Sequence, residues 1–464
     1  NETLQGQRMD WLSVIPPVVA IAVVLWRKEV IVSLLLAIFA SELLQLAFAW
    51  SVPGPAAVNT VERIVGVFES PDNARILVFS FVIGAFLAYL RVSGGIAAMV
   101  ESLVKKGVAS SPHQASLLTS AVGGIVFVES NLSVLASGIM ARGLFDRHGL
   151  SRAKLAYIID STSAPVCILI LLNAWGAFVL VLISEYDFGM TAPQVLWSTI
   201  PFNFYALVTL AIVVWTSTTQ RWFGPIKDSP SGIAIDAHLE EEIEPSKPYF
   251  MVLPLLVMIV GMIGFMLWTG DGNLSDGSGS KSVLYATILA TAVAYFLMLG
   301  SGRFTHRRLV KAAMQGMGDI LPLVVIVLLA LALGRSLGDL GTGNYIAGLV
   351  GGNLPDFLIP AMLFLAGALI SFSTGTSWGT FAILIPLGMP LAVALDLTPP
   401  LLLAAILGGG VFGDHCSPIS DTTAVSAIAS GCDLLEHVRT QLPYAMVAGI
   451  IALLMYLVAG IVMF

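Results

Sequence analysis

The sequence predicts an all-α protein that crosses a membrane several times. Of its 464 residues, 57% are hydrophobic and only 11% are charged, whereas a soluble domain carries about 25% charged residues. Apolar runs of about 20 residues, long enough to cross a hydrocarbon core of about 30 Å, recur along the whole chain. A transmembrane β-barrel is excluded because segments such as 34–40 (LLLAIFA) do not alternate between apolar and polar residues.

Ten stretches are predicted as full spans, five on each side of a long polar linker. In the first half they are 11–26, 29–50, 75–91, 155–184 and 194–217, and in the second half 248–268, 282–300, 312–334, 400–430 and 441–464. The linker, 218–247, contains an acidic run and several prolines, as an exposed loop does. It separates two predicted domains, 9–217 and 248–464.

The basic residues predict which loops face the cytoplasm. Arg91 and Arg142 belong to basic loops, and such loops tend to stay inside. The Gly-rich stretch 114–140 between them must then enter and leave on one side, with the amphipathic segment 93–106 along the interface. This parity favours a re-entrant helical hairpin, and two crossings, 93–110 and 114–140, are the alternative.

The second half repeats the order of the first. An amphipathic segment, 336–353, follows the span 312–334, and a Gly/Ser/Thr-rich stretch, 367–392, precedes a long span that polar residues interrupt. An odd number of crossings in the first half places the second half upside down in the membrane. The sequence therefore predicts two inverted-topology repeats, an arrangement in which sites form at discontinuous helices near the midplane of secondary transporters.

Four polar clusters interrupt the apolar segments. They are 127–133 (FVESNLS), 160–163 (DSTS), 371–380 (SFSTGTSWGT) and 413–423 (GDHCSPISDTT). Ionisable residues inside a membrane are costly and indicate function. An unwound helix turn frees backbone carbonyls, and hydroxyl side chains add neutral oxygens, which are the ligands that a hard cation such as sodium prefers.

These clusters supply the candidate site residues. The predicted cation ligands of the second half are Asp414, Ser417, Asp421 and Thr422, with Na⁺ assigned to Asp421, Asp414 and Ser417. Their counterparts in the first half are Asp160, Ser161 and Ser163. The two hairpin tips, predicted to meet at the midplane, are Glu129, Ser130 and Asn131 in the first half and Thr374, Gly375, Thr376 and Ser377 in the second.

His415 and Asp414 are the predicted proton-linked pair, since an imidazole titrates between about pH 5 and 8 and a site that holds either a proton or a cation can exchange the two. Structural roles stay open for several of these residues. The hydroxyl and glycine residues can serve close helix packing, Asp160 or Glu129 can cap a helix, and His415 can bond a backbone carbonyl.

The run 413–423 resembles the signature of the NhaC-type Na⁺/H⁺ antiporter family, usually Gly-Asp-(Lys/His)-x-Ser-Pro-(Leu/Ile)-Ser-Asp-Thr-Thr. The run 374–380 (TGTSWGT) resembles that family's second signature, and the two follow in the expected order. The resemblance covers most of the chain. It implies sodium coupling and, by analogy with the wider ion transporter superfamily, a homodimer whose scaffold and transport parts move in an elevator-like manner. Many members carry Lys where this chain has His415.

We therefore expect a Na⁺-coupled secondary transporter of the bacterial inner membrane, with the linker 218–247 in the cytoplasm. Na⁺/H⁺ antiport is the simplest form, and Na⁺-coupled symport or exchange of an amino acid or small carboxylate is the alternative. A channel is not favoured, because it does not need two halves that close alternately. An enzyme is not favoured either, because no group of catalytic residues stands apart from the transporter motifs. No cofactor is expected beyond Na⁺ and H⁺ as transported ions, and the absence of a basic tract excludes a nucleic-acid partner.

Overall fold

The computed structural model describes residues 11–27, 29–46, 53–105, 109–127, 130–170, 173–230, 246–273 and 277–464. Every regular element in these ranges is a helix, which confirms the predicted all-α class. The α-helices of the first half are α1 (Ile15–Arg27), α2 (Val30–Gln45), α3 (Pro53–Gly66), α4 (Pro71–Val92), α5 (Gly95–Lys105), α6 (Pro112–Ile125), α7 (Ser130–Arg147), α8 (Arg152–Ser161), α9 (Ala164–Cys167), α10 (Ala174–Ser184), α11 (Ala192–Ser198) and α12 (Phe204–Thr219). Those of the second half are α13 (Tyr249–Thr269), α14 (Gly279–Gly300), α15 (His306–Leu340), α16 (Thr342–Asn353), α17 (Ile359–Thr374), α18 (Ser377–Ala394), α19 (Pro399–Cys416), α20 (Asp421–Ser430) and α21 (Leu434–Met463).

Seven of the described helices are long and apolar enough to cross a membrane: α4, α13, α14, α15, α17 with the turn before it, α18 and α21. The number rises to nine if two bent pairs, α11–α12 and α19–α20, are each one span. Large apolar side chains such as Val260 and Phe296 are 64% and 67% exposed on the outer faces of α13 and α14. Exposed apolar surface of this kind suits hydrocarbon, so the chain is a multi-pass membrane protein.

One predicted span is bent, and one predicted boundary is wrong. The span 194–217 consists of α11 and α12, which are joined through a 3₁₀ turn, Ile200–Phe202, and bend by 45°. Pro201 lies in that turn and has no N–H to continue an α-helix. The amphipathic segment predicted at 336–353 begins only at Thr342. The preceding helix α15 continues to Leu340 and ends at Gly341, whose φ of +71° is left-handed.

The first long span, predicted at 155–184, is broken. Helix α8 ends at Ser161, a short α9 follows, and α10 begins only after Asn173. The Nδ2 of Asn173 donates to the carbonyls of Phe127 (3.0 Å) and Cys167 (2.8 Å), and its Oδ1 accepts from the N–H of Gly176 (3.0 Å). One amide side chain thus satisfies backbone groups that the break leaves open.

Both hairpin stretches fold as packed helix–turn–helix pairs. The first consists of α6 and α7, and the Oγ of Ser133 ties the two arms by donating to the Gly123 carbonyl over 2.7 Å. The second consists of α17 and α18 around Gly375 and Thr376. The arms are longer than the predicted stretches 114–140 and 367–392, since each helix continues beyond the polar residues that identified it.

Glycines bring α19 against α17 at backbone distance. A Cβ on Gly409 would collide with the carbonyl of Phe364, and a Cβ on Gly413 would collide with that of Ala368. This close contact fixes the height of α19 along the hairpin arm. It thereby places the break that follows α19 beside the hairpin turn.

Candidate functional site

The break between α19 and α20 holds a fully buried carboxylate, that of Asp414. The Oγ of Ser377, the first residue of α18, donates to its Oδ2 over 3.1 Å. Its other oxygen, Oδ1, accepts no hydrogen bond from the described residues. Because an uncompensated buried charge is costly, this oxygen is the natural place for a cation or a proton.

Hydroxyl groups fix the unwound segment 417–420. The Oγ of Ser417 donates to the carbonyl of Phe372 in α17 over 2.7 Å. The hydroxyls of Ser420 and Thr422 lie 3.0 Å apart, and the Thr422 N–H donates to Oδ1 of Asp421 over 2.9 Å. A hydroxyl that donates still has lone pairs, so the predicted ligands Ser417 and Thr422 keep oxygen atoms that can bind a cation.

Asp421 connects this break to the first hairpin. It is the first residue of α20 and is more exposed than Asp414, and its side chain lies close to that of Asn131. Asn131 lies in the first turn of α7, beside the buried Ser130. The first hairpin therefore reaches the break between α19 and α20. The remaining tip residue, Glu129, lies outside the described residues.

The tip of the second hairpin contacts the same helix break, between α19 and α20. Helix α17 ends at Gly375, whose φ is +69°, and a Cβ there would collide with the carbonyl of Ile419. Within the turn, Thr374 donates through Oγ1 to the carbonyl of Ile370 (2.9 Å) and accepts from the N–H of Thr376 (3.4 Å). The predicted tip residues thus shape the turn itself, while Ser377 makes the contact with Asp414.

The second buried carboxylate, Asp160, lies at the end of α8 in a cluster of nitrogen donors. Its Oδ2 accepts from Nε2 of Gln441 over 2.7 Å and lies 3.2 Å from Nε2 of His437. Nε2 of His415 lies 4.0 Å from its Oδ1. Nδ1 of His415 contacts the hydroxyl of Tyr205 over 3.0 Å. The imidazole of His415 therefore faces the carboxylate of the other half, although its chain neighbour is Asp414.

The two predicted hydroxyl partners of Asp160 both lie in the first half of the chain. Ser163 donates to the backbone carbonyl of Asp160 over 2.9 Å, and Ser161 lines a small cavity together with Tyr157. Because Oδ2 of Asp160 already accepts a hydrogen bond from Gln441, Oδ1 is the oxygen that is left to act as the predicted cation ligand.

Tyr205, His437 and Gln441 are site residues that the sequence analysis missed. His437 and Gln441 are four residues apart, so they share one face of α21. The predicted span began at 441, which left His437 in a loop. Polar residues one helical turn apart in an apolar helix are the signal that could have found them. The side chains that enclose a small cavity beside this cluster are Tyr157, Ser161, Tyr205, Thr209, Ile212, His415, Gln441, Tyr444 and Ala445.

The donor set indicates which ions suit the site. Among the residues that the structure describes, no three His, Cys, Asp or Glu side chains come together as a transition-metal site requires. Asp414 instead has hydroxyl groups and unwound backbone around it. Carboxylate, hydroxyl and carbonyl oxygens are ligands for a hard cation.

Replacing Gln441 with Leu is expected to destabilise the protein. The change removes the donor that bridges Oδ2 of Asp160 and the carbonyl of His415, the latter over 3.0 Å, and leaves both acceptors buried. An unmade buried hydrogen bond of this kind costs about 1–3 kcal/mol. The melting temperature of the detergent-solubilised protein, read by fluorescence size-exclusion, should fall by several degrees, and the exposed Gln315→Leu in α15 should leave it unchanged. An unchanged value for Gln441→Leu would contradict the described network.

A bundle of membrane-spanning helices with broken helices around buried carboxylates defines a membrane transporter. The profile of the Na⁺/H⁺ antiporter family matches residues 166–461. An uncharacterized protein of Haemophilus influenzae is 31% identical over 97% of this chain and 90% of its own length. The chain belongs to the Na⁺/H⁺ antiporter family, as its NhaC-type signatures predicted.

The chain is also similar to two proteins that are described as transporters. The malate-2H⁺/Na⁺-lactate antiporter of Bacillus subtilis is 31% identical over 37% of each chain. The crystal structure of the YdaH transporter of Alcanivorax borkumensis resembles this fold with a TM-score of 0.60 at 15% identity, over 87% of this chain and 88% of that one. At that identity the likeness concerns the fold alone. The family and its structural neighbours are transporters, in keeping with the expectation that the chain is not an enzyme.

Proposed function

We propose that this protein is a Na⁺-coupled secondary transporter of the bacterial inner membrane, in its simplest form a Na⁺/H⁺ antiporter. The observation that carries the proposal is the fully buried Asp414, which has one oxygen bonded to the hairpin residue Ser377 and one oxygen without a hydrogen bond among the described residues. The carboxylate thus lies between the second hairpin and the broken helix α19–α20, which would separate if the hairpin opened. A ligand bound there would be covered by the hairpin.

The proposed cation site combines charge and neutral oxygens. Asp414 supplies the charge through Oδ1, and Ser417, Thr422 and Asp421 lie along the same broken segment. Helices α18 and α20 begin beside these residues, and the positive ends of their dipoles offset part of the cost of burying a negative charge. Asp160, through its Oδ1, is the proposed counterpart in the first half.

Exchange follows from the cost of an empty site. A buried carboxylate that holds neither a cation nor a proton is strongly disfavoured, so the loaded and the protonated forms are those that cross the membrane. Because the empty ionised form does not cross, each Na⁺ carried in one direction must be followed by H⁺ carried in the other, and the ion with the steeper gradient drives the exchange. The Asp414–His415 pair, with His415 also facing Asp160, is the proposed proton-linked element.

Packing between the halves supports an inverted repeat. Helices α4 and α15, which hold equivalent places, cross at Gly84 and Gly316, and a Cβ on either would collide with the carbonyl of the other. The second arm of each hairpin also packs on the broken helix of the opposite half. Gly138 of α7 lies against Ala429 of α20, and the rings of Trp175 in α10 and Trp378 in α18 are 4.9 Å apart.

This arrangement suits an elevator-like mechanism. The hairpins and broken helices would form the transport part, and α4 with α13, α14 and α15 the scaffold, in a homodimer. In this proposal the linker 218–247 is cytoplasmic, because basic loops tend to stay inside. The hairpin that covers Asp414 would then open toward one side after the transport part has moved.

The alternative is Na⁺-coupled symport or exchange of an amino acid or small carboxylate. Two observations favour it as a second candidate. The Bacillus subtilis relative carries malate and lactate in its name, and the helix N-termini at Ser377 and Asp421 are suited to an anionic group.

Transport by the purified chain in proteoliposomes separates these functions. With a pH-sensitive dye inside, external NaCl should raise the internal pH and radioactive sodium should accumulate, whereas KCl should do neither. Symport predicts no pH change with sodium alone but sodium-driven uptake of an amino acid or carboxylate. Sodium flux without either form of coupling, or no sodium flux, would overturn the proposal.

A further inference from the structure

The C-terminus of α20 is capped by arginines from the other half of the chain. Nε of Arg142 donates to the carbonyl of Ala429 over 2.7 Å, and a second nitrogen of the same guanidinium donates to the carbonyl of Ile428. Nη1 of Arg152 donates to the carbonyl of Ser430 over 2.7 Å. Three consecutive terminal carbonyls are thus satisfied by charged donors, which make stronger hydrogen bonds than neutral ones.

Contacts made by the first half of the chain hold both arginines in place. Arg152 is only 9% exposed, and its guanidinium donates to both carboxylate oxygens of Asp146 over 2.9 and 2.6 Å. Arg142 extends from α7, where the neighbouring Gly138 touches Ala429 so closely that a Cβ would stand 2.7 Å from the Ala429 side chain. The contact therefore has a fixed register along both helices.

The same two helices meet again at the site. Helices α7 and α20 both begin beside the break between α19 and α20, and the side chain of Asn131 in α7 lies close to that of Asp421 in α20. A helix of ten residues is marginal by itself in stability, and its two chain connections, at 417–420 and at Gly431, are non-helical. Contacts along its length, not its own propensity, must therefore hold its first turn in position.

We propose that Arg142 and Arg152 are positioning residues of the cation site. They form an arginine clamp (Arg142 and Arg152 on residues 428–430) that joins α20 to α7 and α8 as one rigid body. The two half-sites then move together, and Asp421 stays beside Asn131 in every state. The inference rests on the proposed sodium site, but the clamp itself is a property of the fold.

Hydrogen–deuterium exchange on the full chain in detergent tests the clamp directly. In Arg142→Gln, amides of residues 421–430 should exchange about tenfold faster, because local opening no longer breaks charged hydrogen bonds, while α13 and α14 stay unchanged. Arg142→Lys should fall between, since it keeps the charge but reaches one carbonyl. The control is Arg91→Gln, which removes an exposed ion pair with Asp319 (3.3 Å) on α4 and α15.

Sodium-dependent transport tests the positioning role. Arg142→Gln should raise the half-saturating sodium concentration about tenfold with the maximal rate within about twofold, and Arg142→Lys should recover part of it. Unchanged exchange at 421–430 would overturn the clamp, and faster exchange with unchanged half-saturation would overturn the positioning role. Absence of sodium transport by the unmodified protein would instead refute the proposed function, which the exchange measurement does not depend on.

Discussion

Asp414→Asn is expected to reduce sodium-driven flux by at least about 100-fold, equivalent to about 2.7 kcal/mol of lost binding. The amide has nearly the shape of the carboxylate and can still accept from Ser377, whose Oγ is 3.1 Å from Oδ2. It has no negative charge, however, so neither Na⁺ nor a proton is attracted to its second position. The measurement is uptake of radioactive sodium into proteoliposomes, driven by an outward-directed proton gradient.

A matched control comes from the same half of the chain. Asp396 is exposed and has a φ of +52°, a conformation that Asn adopts readily, so Asp396→Asn should transport like the unmodified protein. Asp421→Asn should give a smaller loss than Asp414→Asn, because Asp414 is fully buried, whereas Asp421 at the start of α20 is more exposed. Full flux in Asp414→Asn would exclude this carboxylate as the cation ligand, and full flux in Asp421→Asn would do the same for Asp421.

Local chemistry made much of the architecture predictable. A proline has no N–H to continue an α-helix, so the interruptions at 162–163 and 417–420 could be expected beside Pro165 and Pro418. The hairpin stretches were predictable for the same reason, since Gly375 can take a left-handed φ that ends a helix. Helix ends were less predictable, because apolar sequence continues into segments that either lengthen a helix, as at α15, or bend it, as at Pro201.

The partners of the buried groups were not predictable in the same way. Asp160 and Gln441 are separated by 281 positions, and their contact depends on how α8 and α21 pack across the two halves. His415 was interpreted from its neighbour Asp414, but successive residues of a helix point about 100° apart, so adjacency in sequence does not bring two side chains together. Only the packed structure shows that His415 faces Asp160.

Gly375→Ala is expected to reduce sodium-driven flux about 30-fold while the protein remains folded. The left-handed φ of +69° costs an alanine about 1 kcal/mol, and the added Cβ would collide with the carbonyl of Ile419. Backbone atoms cannot rotate away as a flexible side chain can. The hairpin tip or the segment 417–420 must therefore shift, and either movement separates Ser377 from Asp414.

Gly341→Ala separates the two causes. Gly341 ends α15 with nearly the same φ, +71°, but a Cβ there would have no atom within 4 Å. This variant carries the conformational strain without the collision, so its melting temperature should fall as that of Gly375→Ala does while its flux stays near that of the unmodified protein. If both alanine variants lose flux equally, strain in a distant turn is enough to stop transport, and contact of the hairpin tip with the helix break is not what closes the site. If only Gly375→Ala loses flux, the tip must seat against Ile419 for Asp414 to bind its cation, and closure of the hairpin becomes a required step of the cycle.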